Sequence, residues 1–331
     1  MKRLYKRQII SSVTALIIIV GLLVVSYFFD LKISENVATL SDGAYYSSNK
    51  FARFFEVFGE DPIYLMLSLA LALVFNGINK IINHNVVIKI IKIACAILST
   101  LSFAYMVNKI FKYTLALNNN TAWFDNHTIL IYGIGILIGA PLTFLTIFLT
   151  YKIKDEYKRN LVYFGFIVIL TVIFSQVGVQ LVKPFVGRMR YRAIYVLNEN
   201  GYSNLATFSK LFHFNGKGVL TEEMLNLGLD KDIFKSFPSG HTAAAAVVLC
   251  LGLLPNVLNL EGAKYKQWHL ILWWISFNYV LIVAYARIKM GAHYFSDVLV
   301  GGSFTFVMML ISYLIVQQKY KEDGHIAEEE K

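Results

Sequence analysis

Charge is scarce in this sequence. Asp, Glu, Lys and Arg make up 16% of its 331 residues and 56% are hydrophobic, whereas charged residues form about a quarter of a soluble globular domain. The shortage excludes an ordinary soluble domain and points to an integral membrane protein. Cysteine is nearly absent too. Cys95 and Cys250 are the two in the chain, both inside apolar runs, so a disulfide framework or a thiolate metal site has no support and both read as packing residues. Also missing is any single basic face. The formal net charge is +10, yet the Lys and Arg residues fall in short clusters between apolar runs. No nucleic-acid partner is expected, and the pattern reads as membrane topology with some attraction to anionic lipid headgroups. No internal repeat is visible.

What the chain does have is apolar stretches near twenty residues long, the length that spans a bilayer core. Eight stand out, at roughly 9–29, 62–81, 86–107, 129–150, 161–182, 241–258, 268–287 and 297–317. The first follows Lys2, Arg3, Lys6 and Arg7 and has no Ala-x-Ala-like site after it, so it reads as a retained helix rather than a signal peptide. Basic clusters at the N-terminus, at Lys80, Lys89 and Lys92, at Lys152 to Arg159, at Lys264 and Lys266, and at Lys319 and Lys321 all fall on one side if eight spans alternate. By the positive-inside rule that side is cytoplasmic. The segment 30–61, with six Asp or Glu against three Lys or Arg, then faces outward. Within it Phe51, Phe54, Phe55 and Phe58 recur at helical spacing, which fits either an interfacial helix near 34–60 or a stripe packed on neighbouring spans. In the fourth span Gly135 and Gly139 have small-xxx-small spacing ahead of Pro141, suiting close helix contact or a kink. The division expected is 1–160 for spans one to four, 161–317 for a core carrying the chemistry, and 318–331 for a disordered cytoplasmic tail.

Three polar segments sit beside these spans, all on the outer side. The first, from Lys183 to Tyr191, carries Lys183, Arg188 and Arg190, with Arg192 just beyond. The positive-inside rule gives no reason for such a cluster there; a local anion, or lipid headgroups, would. The second is Pro238-Ser239-Gly240-His241, followed by an apolar run. It reads as a helix N-terminus whose free N–H groups favour an anion, with Gly240 permitting close approach of the backbone and His241 one turn inside. The third contains Arg287, His293 and Asp297. On a helix the Asp297 carboxylate could accept from one nitrogen of His293 and leave the other as nucleophile or base, with Arg287 as a bidentate phosphate clamp. Taken singly each segment has a structural explanation. Their order, their places at span boundaries and their common face point to a phosphate-handling site.

At these residues the chain resembles the type 2 phosphatidic acid phosphatase superfamily, which includes the lipid phosphate phosphatases and shares a site with vanadium haloperoxidases. The family pattern Lys-x6-Arg-Pro, Pro-Ser-Gly-His, Ser-Arg-x5-His-x3-Asp is matched except for Tyr191 in place of Pro and Ala286 in place of Ser. The resemblance covers roughly residues 160–317; with the eight apolar stretches it leads to the expectation of an all-α, polytopic transmembrane helix bundle of about eight spans, with the phosphatase core helices in the C-terminal half. It implies that His293 attacks phosphorus with Asp297 orienting it, and that His241 protonates the leaving oxygen and then activates water. Lys183, Arg190, Arg287, Ser239 and the Gly240 N–H would hold the phosphoryl oxygens, with no metal and no other cofactor needed. The commoner membrane members have six spans with the first motif after the third; here it follows the fifth, and the segment 191–237 is long.

The function expected is metal-independent hydrolysis of a phosphate or pyrophosphate monoester on a membrane lipid, at the outer face of a cytoplasmic membrane. Discharge of the same phosphohistidine to an acceptor hydroxyl would make the protein a lipid phosphotransferase. A lipid-phosphate transporter or scaffold would need the cations but neither the nucleophile nor the acid.

Overall fold

The computed structural model describes the backbone of residues 2–40, 45, 49–117, 123, 126–260 and 262–329, and the side chains of 13–40, 45, 49–115, 123, 126–260 and 262–319. It is 80% helical, with no strand among the described residues. In chain order the helices are α1 (Lys2–Val37), α2 (Lys50–Phe58), α3 (Pro62–Gly77), α4 (Asn85–Leu117), α5 (Thr128–Tyr151), α6 (Asp155–Val186), α7 (Tyr191–Glu199), α8 (Glu222–Asn226), α9 (Gly240–Ala245), α10 (Leu254–Val257), α11 (Gly262–Lys289) and α12 (Phe295–Glu329). A 3-10 stretch, Ala246–Leu253, joins α9 to α10. Among the described residues eight helical segments are long and apolar enough to cross a membrane, which is compatible with a multi-pass membrane protein.

Two boundaries differ from the sequence expectation. The first span does not stop at Phe29: α1 runs on to Val37 with Asp30 and Ser34 buried inside it. The chain after 317 is not irregular either. The helix of α12 carries the backbone to Glu329, through a run of good helix formers such as Lys319, Lys321 and Glu322; residues 330 and 331 lie outside the described residues.

The chain divides into two compact units. One comprises residues 56–176, 244–281 and 304–331. Its core joins Phe164, Ile167 and Val168 of α6 to Ala70 and Leu73 of α3, to Val247 and Cys250, and to Met309 of α12. Both cysteines are free and buried. Here α5 lies backbone to backbone on α4. A Cβ built at Gly139 would meet the Thr100 carbonyl oxygen at 2.7 Å, and one at Gly135 would meet that of Ala104 at 2.9 Å. The small-xxx-small spacing therefore marks a helix contact. Thr143 Oγ1 donates to Ser99 Oγ at 3.2 Å along the same seam. Lys109 of α4 forms a buried ion pair with Asp61 just ahead of α3.

The other unit comprises residues 1–55, 177–243 and 282–303, and it holds all eight candidate site residues. The long segment 191–237 is no open loop. Ala193, Ile194 and Leu197 of α7 form a core with Met224 of α8, Leu229, Ile233 and Tyr294. Thr221 caps α8 by accepting from Met224 N. In α2, Ala52 is fully buried against Met290 and Ala292, while Phe51 and Phe54 are 42% and 54% exposed. The Phe51 ring also lies 6.1 Å from that of Tyr285 on α11.

Candidate active site

Lys183 stands in the last turn of α6. Its Nζ lies 3.1 Å from the point where a Cβ on Gly240 would be, so the ammonium rests directly on the backbone of the second motif. A Cβ there would ask the ammonium to give by a few tenths of an ångström. Ser239 is the N-cap of α9, with Oγ accepting from Thr242 N at 3.4 Å and lying 3.0 Å from Thr242 Oγ1. The expected helix N-terminus is therefore present. His241 is its second residue, nearer the helix mouth than a full turn inside. The first turns of α12 close on the same corner: Ser239 N donates to the Asp297 carbonyl at 3.0 Å, and a Cβ at Gly301 would sit 2.4 Å from the Ser239 oxygen.

His293 is not on a helix, contrary to the spacing argument. It lies in the turn between α11 and α12, its N–H donating to Arg287 O at 3.3 Å. Tyr294 occupies the N-cap of α12, and Asp297, third in the helix, folds back to accept the Tyr294 N–H at 2.9 Å, as in a capping box. The i, i+4 geometry is never set up, and His293 Nδ1 is 3.8 Å from Asp297 Oδ2. Nδ1 instead lies 2.5 Å from the Ser236 carbonyl oxygen. A carbonyl can only accept, so Nδ1 carries the proton and Nε2 presents its lone pair. Asp297 reaches the ring through Ser236, whose Oγ donates to Asp297 Oδ2 at 2.5 Å. Neither Ser236 nor this two-step link shows in the sequence, where Ser236 is one serine ahead of the motif.

The four cations of the first segment divide. Arg188 is engaged by carboxylates of the chain itself: Nη1 donates to Asp297 Oδ1 at 2.6 Å and Nη2 to Asp30 Oδ2 at 2.9 Å, and its guanidinium stacks 4.1 Å over the Tyr294 ring. Arg192 lies 4.2 Å over Tyr45. Arg190 has Nη2 2.7 Å from Asp232 Oδ2, while its buried Nε has no hydrogen-bond partner among the described residues, a donor still to be satisfied. Arg287, almost fully buried, donates from Nη1 to Met290 Sδ at 3.1 Å.

These charges converge on one ring. Complete burial holds His293 well below the usual imidazole range, and the fields of Arg287, Arg190, Lys183 and His241 push in the same direction. The imidazole is neutral at neutral pH, the form a nucleophile needs. At Asp232 burial works toward a higher value, but Arg190, Lys235, Arg192 and Lys183 outweigh it and leave the carboxyl below its ordinary range. The residues sequence reasoning missed are thus Ser236, Asp232, Ser296 and Asp30. All act on motif residues from positions that spacing cannot connect.

No curated protein and no solved structure matches this chain. A family model does, over residues 160–321. That stretch contains Lys183, Arg190, Ser239, Gly240, His241, Arg287, His293 and Asp297 together, and over it the chain matches the PAP2 superfamily.

Proposed function

We propose that this protein hydrolyses a phosphate or pyrophosphate monoester on a membrane lipid, at the outer face of a cytoplasmic membrane, through a phosphohistidine. The match to the superfamily suggests phosphatase-type activity on phosphate esters. The observation that carries the finer reading is the His293 ring: buried, neutral, tied at Nδ1 to a carbonyl, and surrounded by Lys183, Arg190 and Arg287. Nε2 attacks phosphorus and forms the P–N bond as the P–O ester bond breaks. His241, protonated, gives its proton to the leaving oxygen. It then takes one from a water that attacks phosphorus, breaking the P–N bond and releasing inorganic phosphate. The three cations and the Gly240 N–H balance the charge on the equatorial oxygens, the electrostatic work a metal does in other phosphatases.

The lipid substrate is supported by eight apolar segments and by the exposed Phe51 and Phe54 on α2, whose Ala52 packs on the 290–292 turn beside His293. The outer face is supported by the five basic clusters on the opposite side of the alternating spans. Purified protein should release phosphate from a lipid phosphate in the presence of chelator and stop under vanadate. Full activity in His293→Ala would remove the mechanism; a phosphorylated acceptor lipid in place of free phosphate would identify a transferase.

A further inference from the structure

The family match begins at residue 160, yet the ionic network beneath the site reaches back to the first helix. Asp30 of α1 is 2% exposed. Its Oδ2 accepts from Arg188 Nη2 at 2.9 Å and its Oδ1 from the Ser296 N–H at 2.8 Å, and the Ser296 hydroxyl also donates to it. Arg188 is held on its remaining sides by Ser209 O at 2.9 Å through Nε, and by Ser296 Oγ at 2.7 Å and Asp297 Oδ1 at 2.6 Å through Nη1. One planar cation is clamped between two buried carboxylates, a geometry its fork of donors favours. The contacts then continue from Asp297 Oδ2 to Ser236 Oγ, and from the Ser236 carbonyl to His293 Nδ1.

We propose that Asp30 is a positioning residue for the reacting imidazole. Its carboxylate, supplied by a helix outside the matched domain, fixes Arg188 and the first turn of α12, and through Asp297 and Ser236 sets the tautomer and aim of His293. Without it Arg188 has one carboxylate where it had two and follows Asp297 alone. The Asp297–Ser236 contact then loses its fixed side, while Lys183, Arg190 and Arg287 remain where they were. The inference rests on the phosphatase reading of the site, and it separates from a mere packing role because it predicts a defect in chemistry without a defect in anion binding.

The test uses the full chain in lipid nanodiscs. Asp30→Asn keeps the volume and an acceptor for the Ser296 N–H but removes the charge. We expect kcat to fall about 10- to 100-fold, with KM and the inhibition constant of inorganic phosphate within about twofold of the parent. Histidine 15N spectra, with the His293 signal identified by its loss in His293→Asn, should show one Nδ1-protonated tautomer in the parent and a mixture in Asp30→Asn. An unchanged kcat with an unchanged spectrum overturns the proposal. So does a parallel fall of kcat, phosphate affinity and folded fraction, which is what structure alone would give. If the parent releases no phosphate from any lipid, the phosphatase reading fails, and the spectra still decide: an altered tautomer sustains positioning by Asp30 and an unaltered one refutes it. Should Asp30→Asn not fold, Ser296→Ala, which removes one hydroxyl from the same network, is judged on the same readouts.

Discussion

Replacing Gly301 by alanine tests whether the approach of α12 to the second motif sets catalytic geometry. Two effects oppose each other. Helix propensity alone favours alanine by about 1 kcal/mol in a helix interior. Against this, the new Cβ would stand 2.4 Å from the Ser239 carbonyl oxygen, so α12 and the Ser239 turn must part by about 1 Å before ordinary contact is restored. Both partners are backbone or Cβ, with no flexible side chain to absorb the shift. The Ser239 N to Asp297 O hydrogen bond, 3.0 Å at present, spans the same junction, and lengthening it by about 1 Å ends it. A misplacement of that size costs about a hundredfold in rate, which is about 2.7 kcal/mol of transition-state stabilisation. The propensity gain enters the folding free energy and the displacement enters the reaction barrier, so the variant can melt close to the parent and still be slow. The measurement is kcat/KM on a lipid phosphate together with the melting temperature, using Gly21→Ala in α1 as the comparison, since a Cβ there meets nothing within 4 Å. Gly301→Ala should lose about a hundredfold and Gly21→Ala nothing. A Gly301→Ala protein within about threefold of the parent would refute the reasoning.

Stability should depend on pH through His293. Its folded value lies well below that of the unfolded chain, about 6.5, so between the two the unfolded state binds the extra proton. The contribution of His293 is complete above about pH 6.5 and is lost as pH falls below it. Melting temperatures of the ligand-free protein should drop more between pH 7.5 and 5.5 for the parent than for His293→Asn, which keeps a donor toward the Ser236 carbonyl; equal drops would show that the ring does not titrate as argued. In the other unit, Gly139→Ala should destabilise by about 1–3 kcal/mol through overpacking, because its Cβ would meet the Thr100 oxygen at 2.7 Å. Thermal melts in detergent test this, and an unchanged midpoint would mean that α4 and α5 adjust freely.

How much of this was legible in the sequence differs by residue. The eight spans were readable because hydropathy is a local property, and the contact at Gly135 and Gly139 because small residues four apart leave a groove on any helix. Ser239 as an N-cap followed from residue type beside an apolar run. The direct pairing of His293 with Asp297 expected from their spacing does not form, since a spacing of four implies one face only if both residues are helical, and the capping of α12 by Tyr294 and Asp297 leaves His293 in the turn. Spacing alone makes Arg188 one more cation for an anion, because its partner Asp30 lies 158 positions away. An isolated carboxylate at the end of an apolar run was the available signal, and its meaning depends on α1 continuing as helix beyond Phe29. Long-range ionic pairing leaves no periodic trace.

The place of Asp30 on α1 has a consequence for how such a domain can be cut or transplanted. A chain trimmed to residues 160–321 would retain every motif residue and still leave Arg188 Nη2 and the Ser296 amide, both buried, without the acceptor that Asp30 gives them. Similarity draws one border and the pairing of buried donors draws another, some 130 residues earlier. Any minimal version must import an acceptor to the spot that Asp30 fills.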